Sequence, residues 1–156
     1  LATEACAAGP IGPVLGTAAR DAEARLRALP NVLDARIPDD LGGWWLLLKL
    51  PKRAPGDGAA MIKTLGGLTD TILLPRWIVL VGPDATLDPF DDALFHWLAH
   101  AAPDRDRFLS VCGRRIAFDA TPKLPGDERE GLPVRPWPPV LRMAPDAHAR
   151  ARGLVP

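Results

Sequence analysis

His96 and His100 stand four residues apart, with Asp92 four residues earlier. On a helix that spacing puts all three on one face, and an i, i+4 histidine pair can chelate zinc. The spacing places no third strong ligand, and no HExxH glutamate accompanies the pair. The plainer reading is the polar edge of an amphipathic helix whose Leu94, Phe95, Trp97 and Leu98 turn inward, and no tight metal binding is expected there. Asp84, Asp88, Asp91 and Asp92 crowd one stretch, but their spacing is not that of an EF-hand, and helix capping accounts for most of them. Gly56, Gly58, Gly66 and Gly67 flank a helix without a Walker lysine or the dinucleotide spacing, so capping explains them too. Cys112, beside Gly113, reads as a small buried hydrophobe in a strand. Asp104, Arg105, Asp106 and Arg107 read as a solvated charged turn whose ion pairs contribute little. No Ser-His-Asp or Cys-His arrangement is legible, and no catalytic, cofactor-binding or metal-binding residue is assigned.

One further stretch, FDATPKLPGDEREG, joins a strand end to a long polar loop. Asp119, Thr121 and Lys123 follow directly on the strand, and Arg129 closes the run. The ends of strands are where open α/β sheets present ligands and interfaces. These four residues are therefore candidate interface or cleft contacts. Equally, Asp119 and Thr121 could do no more than cap the local backbone through their side-chain oxygens.

The elements that must position these groups are marked by propensity and punctuation. Residues 17–29 form an Ala-, Arg- and Leu-rich helix stopped by Pro30, with a stripe of Ala18, Ala22, Arg25, Leu26 and Leu29. Residues 32–37 read as a strand. WWLLLKL, residues 44–50, is a stronger one: short and almost continuously apolar, it needs cover on both faces. Trp44 and Trp45 must point to opposite faces, with at least one against a helix. Residues 56–67 read as a helix with Asp57 as cap and Met61, Ile62 and Leu65 inward. RWIVLV, residues 76–81, is the expected central strand. A helix follows from Asp88 as N-cap and Pro89 at its first position to about Ala101, and its Trp97, like Trp77 on the strand, belongs in the core. Residues 108–111 and 115–118 are short strands around Gly113, and residues 146–152 a last short helix. Alternating strands and helices with two hairpin-like pairs predict an α/β fold: a mixed β-sheet with helices packed on it. Residues 1–121 make one domain. Residues 122–156 form an extended Pro-rich tail, holding eight of the chain's 18 prolines, packed on the same domain.

Composition narrows the function classes. The chain has 156 residues, enough for one domain with a real core. Lys plus Arg and Asp plus Glu both number 19, so no bulk field attracts nucleic acid or an anionic membrane. No apolar run approaches the roughly 18 residues of a membrane span. The opening LATEACAAGPIG lacks the basic region of a signal peptide. The absence of an initiator methionine suggests a piece of something longer. Two distant cysteines, Cys6 and Cys112, point to a reducing, cytoplasmic compartment.

Two segments in order carry a resemblance. LLPRWIVLVGPDATLDPFDDALFHWLAHAAPDRD is similar to the C-terminal part of UbiD-family decarboxylases: an apolar strand, an acidic turn, a helix opening with D-x-x-D, and a P-x-R-D ending. IAFDATPKLPGDEREGLPVRPWPP resembles the family's DAT-x-K element, its Gly-acid-Arg run and its Trp-Pro ending. MAPDAHARARGL resembles the closing helix. The sequence departs at Gly82-Pro83-Asp84-Ala85-Thr86, where the family has a run of aspartates, and at His100-Ala101-Ala102-Pro103, where it has a basic residue. The resemblance implies a UbiD C-terminal-domain-like fold. It implies reversible, non-oxidative decarboxylation of aromatic or α,β-unsaturated carboxylic acids, with prenylated FMN, manganese and potassium held by a cofactor-bearing domain or subunit outside these residues. The chain would then be the C-terminal domain or small subunit of such an oligomeric carboxy-lyase. It would shape the substrate cleft and make subunit contacts, and would be inactive in isolation. The alternative is a stand-alone, non-enzymatic oligomerisation or regulatory module of the same fold.

Overall fold

A computed structural model describes residues 11–109, 114–129, 131–134, 146–147 and 150. Helix α1 (Gly16–Arg27) leads into strand β1 (Asp34–Arg36), a 3₁₀ turn (Asp39–Leu41) and strand β2 (Trp45–Lys49). Helix α2 (Asp57–Gly67), strand β3 (Trp77–Val81), helix α3 (Asp91–His100), the short helix α4 (Pro103–Asp106) and strands β4 (Arg107–Leu109) and β5 (Ile116–Ala120) follow. The sheet has five strands in the order β1-β2-β3-β5-β4. β2, β3 and β5 run parallel, and β1 and β4 pair antiparallel at the two edges. This is the mixed sheet with covering helices that the alternating pattern predicts.

Both sheet faces are buried, which is why the central strands read as unbroken apolar runs. On one face Leu46, Leu48, Ile78, Leu80 and Ala117 meet Ala19, Ala22 and Leu26 of α1 and Met61 and Leu65 of α2. On the other, Leu47, Val79, Val81, Phe118 and Ala120 lie under Ala93 and Trp97 of α3. Each fully buried Leu or Val contributes about 1.5–3 kcal/mol relative to exposure. Trp77 and Trp97 are partly buried and pack on the second core, as does Trp45, whose ring lies 5.4 Å from that of Trp97.

Several local expectations change. α1 buries Ala19 and Glu23, while Ala18 and Arg25 face out. Glu23 is tolerated inside because its carboxylate accepts the Ile37 N–H at 2.7 Å and pairs with Arg27 at 3.3 Å. Asp57 does not cap α2; Gly56 occupies the N-cap in the left-handed region, and the Asp57 carboxylate instead accepts the N–H groups of Arg53 and Ala54. Asp88 is not the cap of α3, which starts three residues later; Asp88 pairs with Arg36, and Asp92 accepts the Thr86 N–H. α3 packs through Ala93 and Trp97, so Leu94, Phe95 and Leu98, expected inside, are exposed. The expected strand containing Cys112 falls at residues outside those described. So does most of the Pro-rich tail; of its final helix, residues 146, 147 and 150 are described and helical.

Candidate functional site

The polar residues gather where the parallel strands end. β5 carries Asp119 next to its last residue, and the chain breaks away at Thr121 and Pro122. The Asp119 carboxylate accepts both the N–H and the hydroxyl of Thr121, at 3.0 and 2.6 Å, which is local capping. It does more than that. Lys123 folds back to put its Nζ 3.1 Å from the same carboxylate and 3.3 Å from Asp106, and donates to the Asp119 carbonyl at 2.6 Å. Arg105 pairs with Asp106 at 2.7 Å. The hydrogen bond to Asp106 raises the Arg105 pKa further above its ordinary value, outweighing the effect of burial. Asp106 also accepts the Ala102 N–H at the start of α4. Arg105 and Asp106 are thus buried rather than part of a solvated turn. A buried pair of this kind must satisfy its remaining hydrogen-bonding groups, and these do.

A second knot ties the loop to α2. Lys52 and Asp127 pair at 2.9 Å with side chains only 3% and 5% exposed. Asp127 also accepts the N–H groups of Gly56 and Leu124. Burial alone would raise its pKa; the two backbone donors and Lys52 outweigh that and hold it below 3.8. Arg129 lays its guanidinium 4.5 Å from the Phe108 ring centre and donates to the carbonyls of Arg105 and Arg107. Arg105 also donates to the Pro133 carbonyl at 2.7 Å, fastening the chain beyond the loop.

A pocket of about 430 Å³ opens beside this network, between the end of α3, α4, Lys123 and the segment Leu132-Pro133. That volume is in the range of small-molecule sites. The three Lys123 donors are directed at Asp119 and Asp106. Arg105 is engaged by Asp106 and Pro133. Both cations near the pocket are thus paired, Asp104 adds a carboxylate to its lining, and the rest of its open wall is mainly Ala99, Ala101, Ala102, Pro103, Leu132 and Pro133. His100 lines it as well. Burial, then His96 and Lys123, push its pKa below 6.5.

All four sequence candidates, Asp119, Thr121, Lys123 and Arg129, lie in this one region. Asp106, Arg105, Lys52 and Asp127 complete it; nothing in the alternating charges of residues 104–107 reveals that two of them turn inward, and Lys52 and Asp127 lie 75 residues apart in the chain. His96 and His100 stack, with ring centres 5.6 Å apart, and His96 lies 3.8 Å from Asp92. Among the described residues no three histidine, cysteine or carboxylate side chains converge on a metal position. In the first turn of the glycine-flanked helix α2 the Asp119 carboxylate lies against Gly58, and a like charge there disfavours a flavin phosphate.

The fold is shared with larger enzymes. Vanillic acid decarboxylase of Sedimentibacter hydroxybenzoicus, in its closed form, superposes with a TM-score of 0.62 at 11% identity, over 85% of this chain and 30% of that one. The 3,4-dihydroxybenzoic acid decarboxylase of Enterobacter cloacae gives 0.58 at 20% identity, over 86% and 33%. An evolved dimeric form of the UbiD-class enzyme HmfF from Pelotomaculum thermopropionicum, in complex with prFMN, gives 0.54 at 16% identity, over 69% and 25%. The chain thus spans a quarter to a third of the length of these enzymes. The family model of the 3-octaprenyl-4-hydroxybenzoate carboxy-lyase C-terminal domain matches residues 14–126, which include the whole sheet, the DAT-x-K element and the Asp119–Lys123 network, and the chain belongs to that UbiD C-terminal-domain family.

Proposed function

We propose that this chain is the C-terminal domain, or a separate small subunit, of a cytoplasmic UbiD-like decarboxylase acting on aromatic or α,β-unsaturated carboxylic acids. Prenylated FMN, with manganese and potassium, is carried by a partner domain or subunit. This chain contributes shape. The observation that carries the reading is the family match over residues 14–126, in a chain spanning only part of its structural neighbours.

In this reading the loop from Asp119 to Arg129 and the adjoining pocket face the partner. The Pro-rich tail packs on the same domain. The paired charges do not act as acid or base, since each is held by its neighbour. They fix the loop so that the apolar wall of Ala99, Ala101, Ala102 and Leu132 can close one side of the cleft and exclude water. A flavin titration separates binding from shaping: the isolated chain should leave the absorbance spectrum of added FMN unchanged, while the cofactor-bearing partner shifts it. Saturable FMN binding by this chain alone would contradict the division of labour.

A further inference from the structure

Two residues that do not line the pocket are tied to its wall. Lys52, ahead of α2, pairs with Asp127 at 2.9 Å, and both side chains are buried. The same carboxylate accepts the Leu124 N–H at 2.7 Å, while the Asp127 N–H returns to the Leu124 carbonyl at 3.0 Å. Residues 124–127 thus form a turn closed by two reciprocal hydrogen bonds. Gly126 takes a φ of 102°, and a Cβ there would lie 3.0 Å from Pro55, so the turn seats on the segment that leads into α2. The Gly56 N–H, donated to Asp127 at 2.7 Å, fastens it to the N-cap of that helix. At the other end of the turn Leu124 is the chain neighbour of Lys123, and the contacts continue to the pocket. Lys123 reaches Asp106 at 3.3 Å, Asp106 accepts the Ala102 N–H at 2.7 Å and pairs with Arg105, and Arg105 donates to the Pro133 carbonyl at 2.7 Å. Lys123, Ala102, Arg105 and Pro133 line the pocket; Lys52 and Asp127 do not.

We infer that Lys52 and Asp127 are positioning residues for the pocket, setting its α4 wall from the opposite side of the loop. The links are buried charges, and this is what lets them transmit. A carboxylate that loses its cation in the interior turns towards water and takes its remaining hydrogen bonds with it. Without Lys52, Asp127 leaves the N–H groups of Leu124 and Gly56, and the turn opens. Lys123 then loses the backbone anchor that aims it at Asp106 and Asp119. Asp106 in turn is released from one of its two cations, so its grip on the Ala102 N–H and on Arg105 loosens, and the pocket wall with it. The Asp119 carboxylate, seated against Gly58 and held by the same Lys123, ties the first turn of α2 into this chain a second time. The inference concerns the shape of the pocket and does not depend on the decarboxylase reading.

Contiguous contacts do not by themselves establish coupling, so the test reads it directly. Native-state hydrogen exchange of the full chain, resolved by NMR, follows the amides of Leu124, beside the turn, and Ala102, in the pocket wall. The proteins are wild type, Lys52→Met, Lys52→Arg and Leu26→Ala. The last empties a fully buried site in α1, away from the loop, and serves as a control with a comparable loss of stability. Both amides should exchange about tenfold faster or more in Lys52→Met than in wild type and than in Leu26→Ala. Lys52→Arg keeps the cation and should restore most of the protection. Should Lys52→Met not fold, Asp127→Asn, which keeps an acceptor oxygen but not the charge, takes its place with the same expected result. Faster exchange at Leu124 with Ala102 unchanged would make the Lys52–Asp127 pair a local fastening and overturn the inference. Equal gains at Ala102 in Lys52→Met and Leu26→Ala would overturn it too, since the wall would then be reporting global stability alone.

Discussion

Gly58 has no side chain because the carboxylate of Asp119 occupies the place where one would be: a Cβ there would overlap the Asp119 oxygens. The first turn of α2 and the end of β5 therefore touch through a backbone and a buried charge. Gly58→Ala must push the carboxylate away from Thr121 and Lys123 or move α2. The expected cost is about 2–3 kcal/mol, from overpacking and from strained hydrogen bonds to a charged group. Urea denaturation checks it. A variant within a few tenths of a kcal/mol of wild type would mean that Asp119 does not lie where described.

Lys52 and Asp127 form a pair in which each partner needs the other. Lys52→Met leaves a buried carboxylate without its cation and should cost about 3–5 kcal/mol. Asp127→Leu should cost at least as much, because Gly56 and Leu124 also lose their acceptor. The double variant should be more stable than the sum of the two losses predicts. Strict additivity in that cycle would show the pair to be uncoupled.

The pH dependence has two windows. His100 is held below 6.5 by burial, then by His96 and Lys123, so on acidification the unfolded chain takes up its proton first. Stability should begin to fall as pH drops through 6.5 and go on falling to the folded pKa. His100→Gln should remove this part of the slope, and NMR titration of His96→Gln should show the His100 pKa rising. Asp127, held below 3.8 by its donors, contributes stability above that value that is lost as pH falls through its folded pKa. Asp127→Asn should flatten that lower window. A His100 titrating above 6.5 would contradict the described burial of its ring.

The sheet was legible because periodicity and punctuation agreed. WWLLLKL and RWIVLV are too short for helices and too apolar for edge strands, and both proved central. The candidate site was legible only in part. A strand end followed by Asp119, Thr121 and Lys123 marks a place, but their partners come from far along the chain. The Asp104–Arg107 run gave no sign that Arg105 and Asp106 turn in, because that depends on α4 docking against the β5 end. The outer face of α3 was not legible for a related reason: Ala93 and Trp97 suffice to cover the sheet, which leaves Leu94, Phe95 and Leu98 exposed.

The central claim is that this chain shapes a cleft whose chemistry lies in a partner. Its most direct test is a mixing experiment: substrate decarboxylation, and hydrogen–deuterium exchange at the substrate carbon, measured with this chain alone, with the cofactor-bearing partner alone, and with both together. This chain alone should be inert, the partner alone impaired, and the mixture active. Lys123→Ala should lower the mixed activity, because Asp119 and Asp106 lose the cation that holds the loop. Turnover by this chain alone, or a partner whose activity is indifferent both to Lys123→Ala and to removal of the whole chain, would contradict the account.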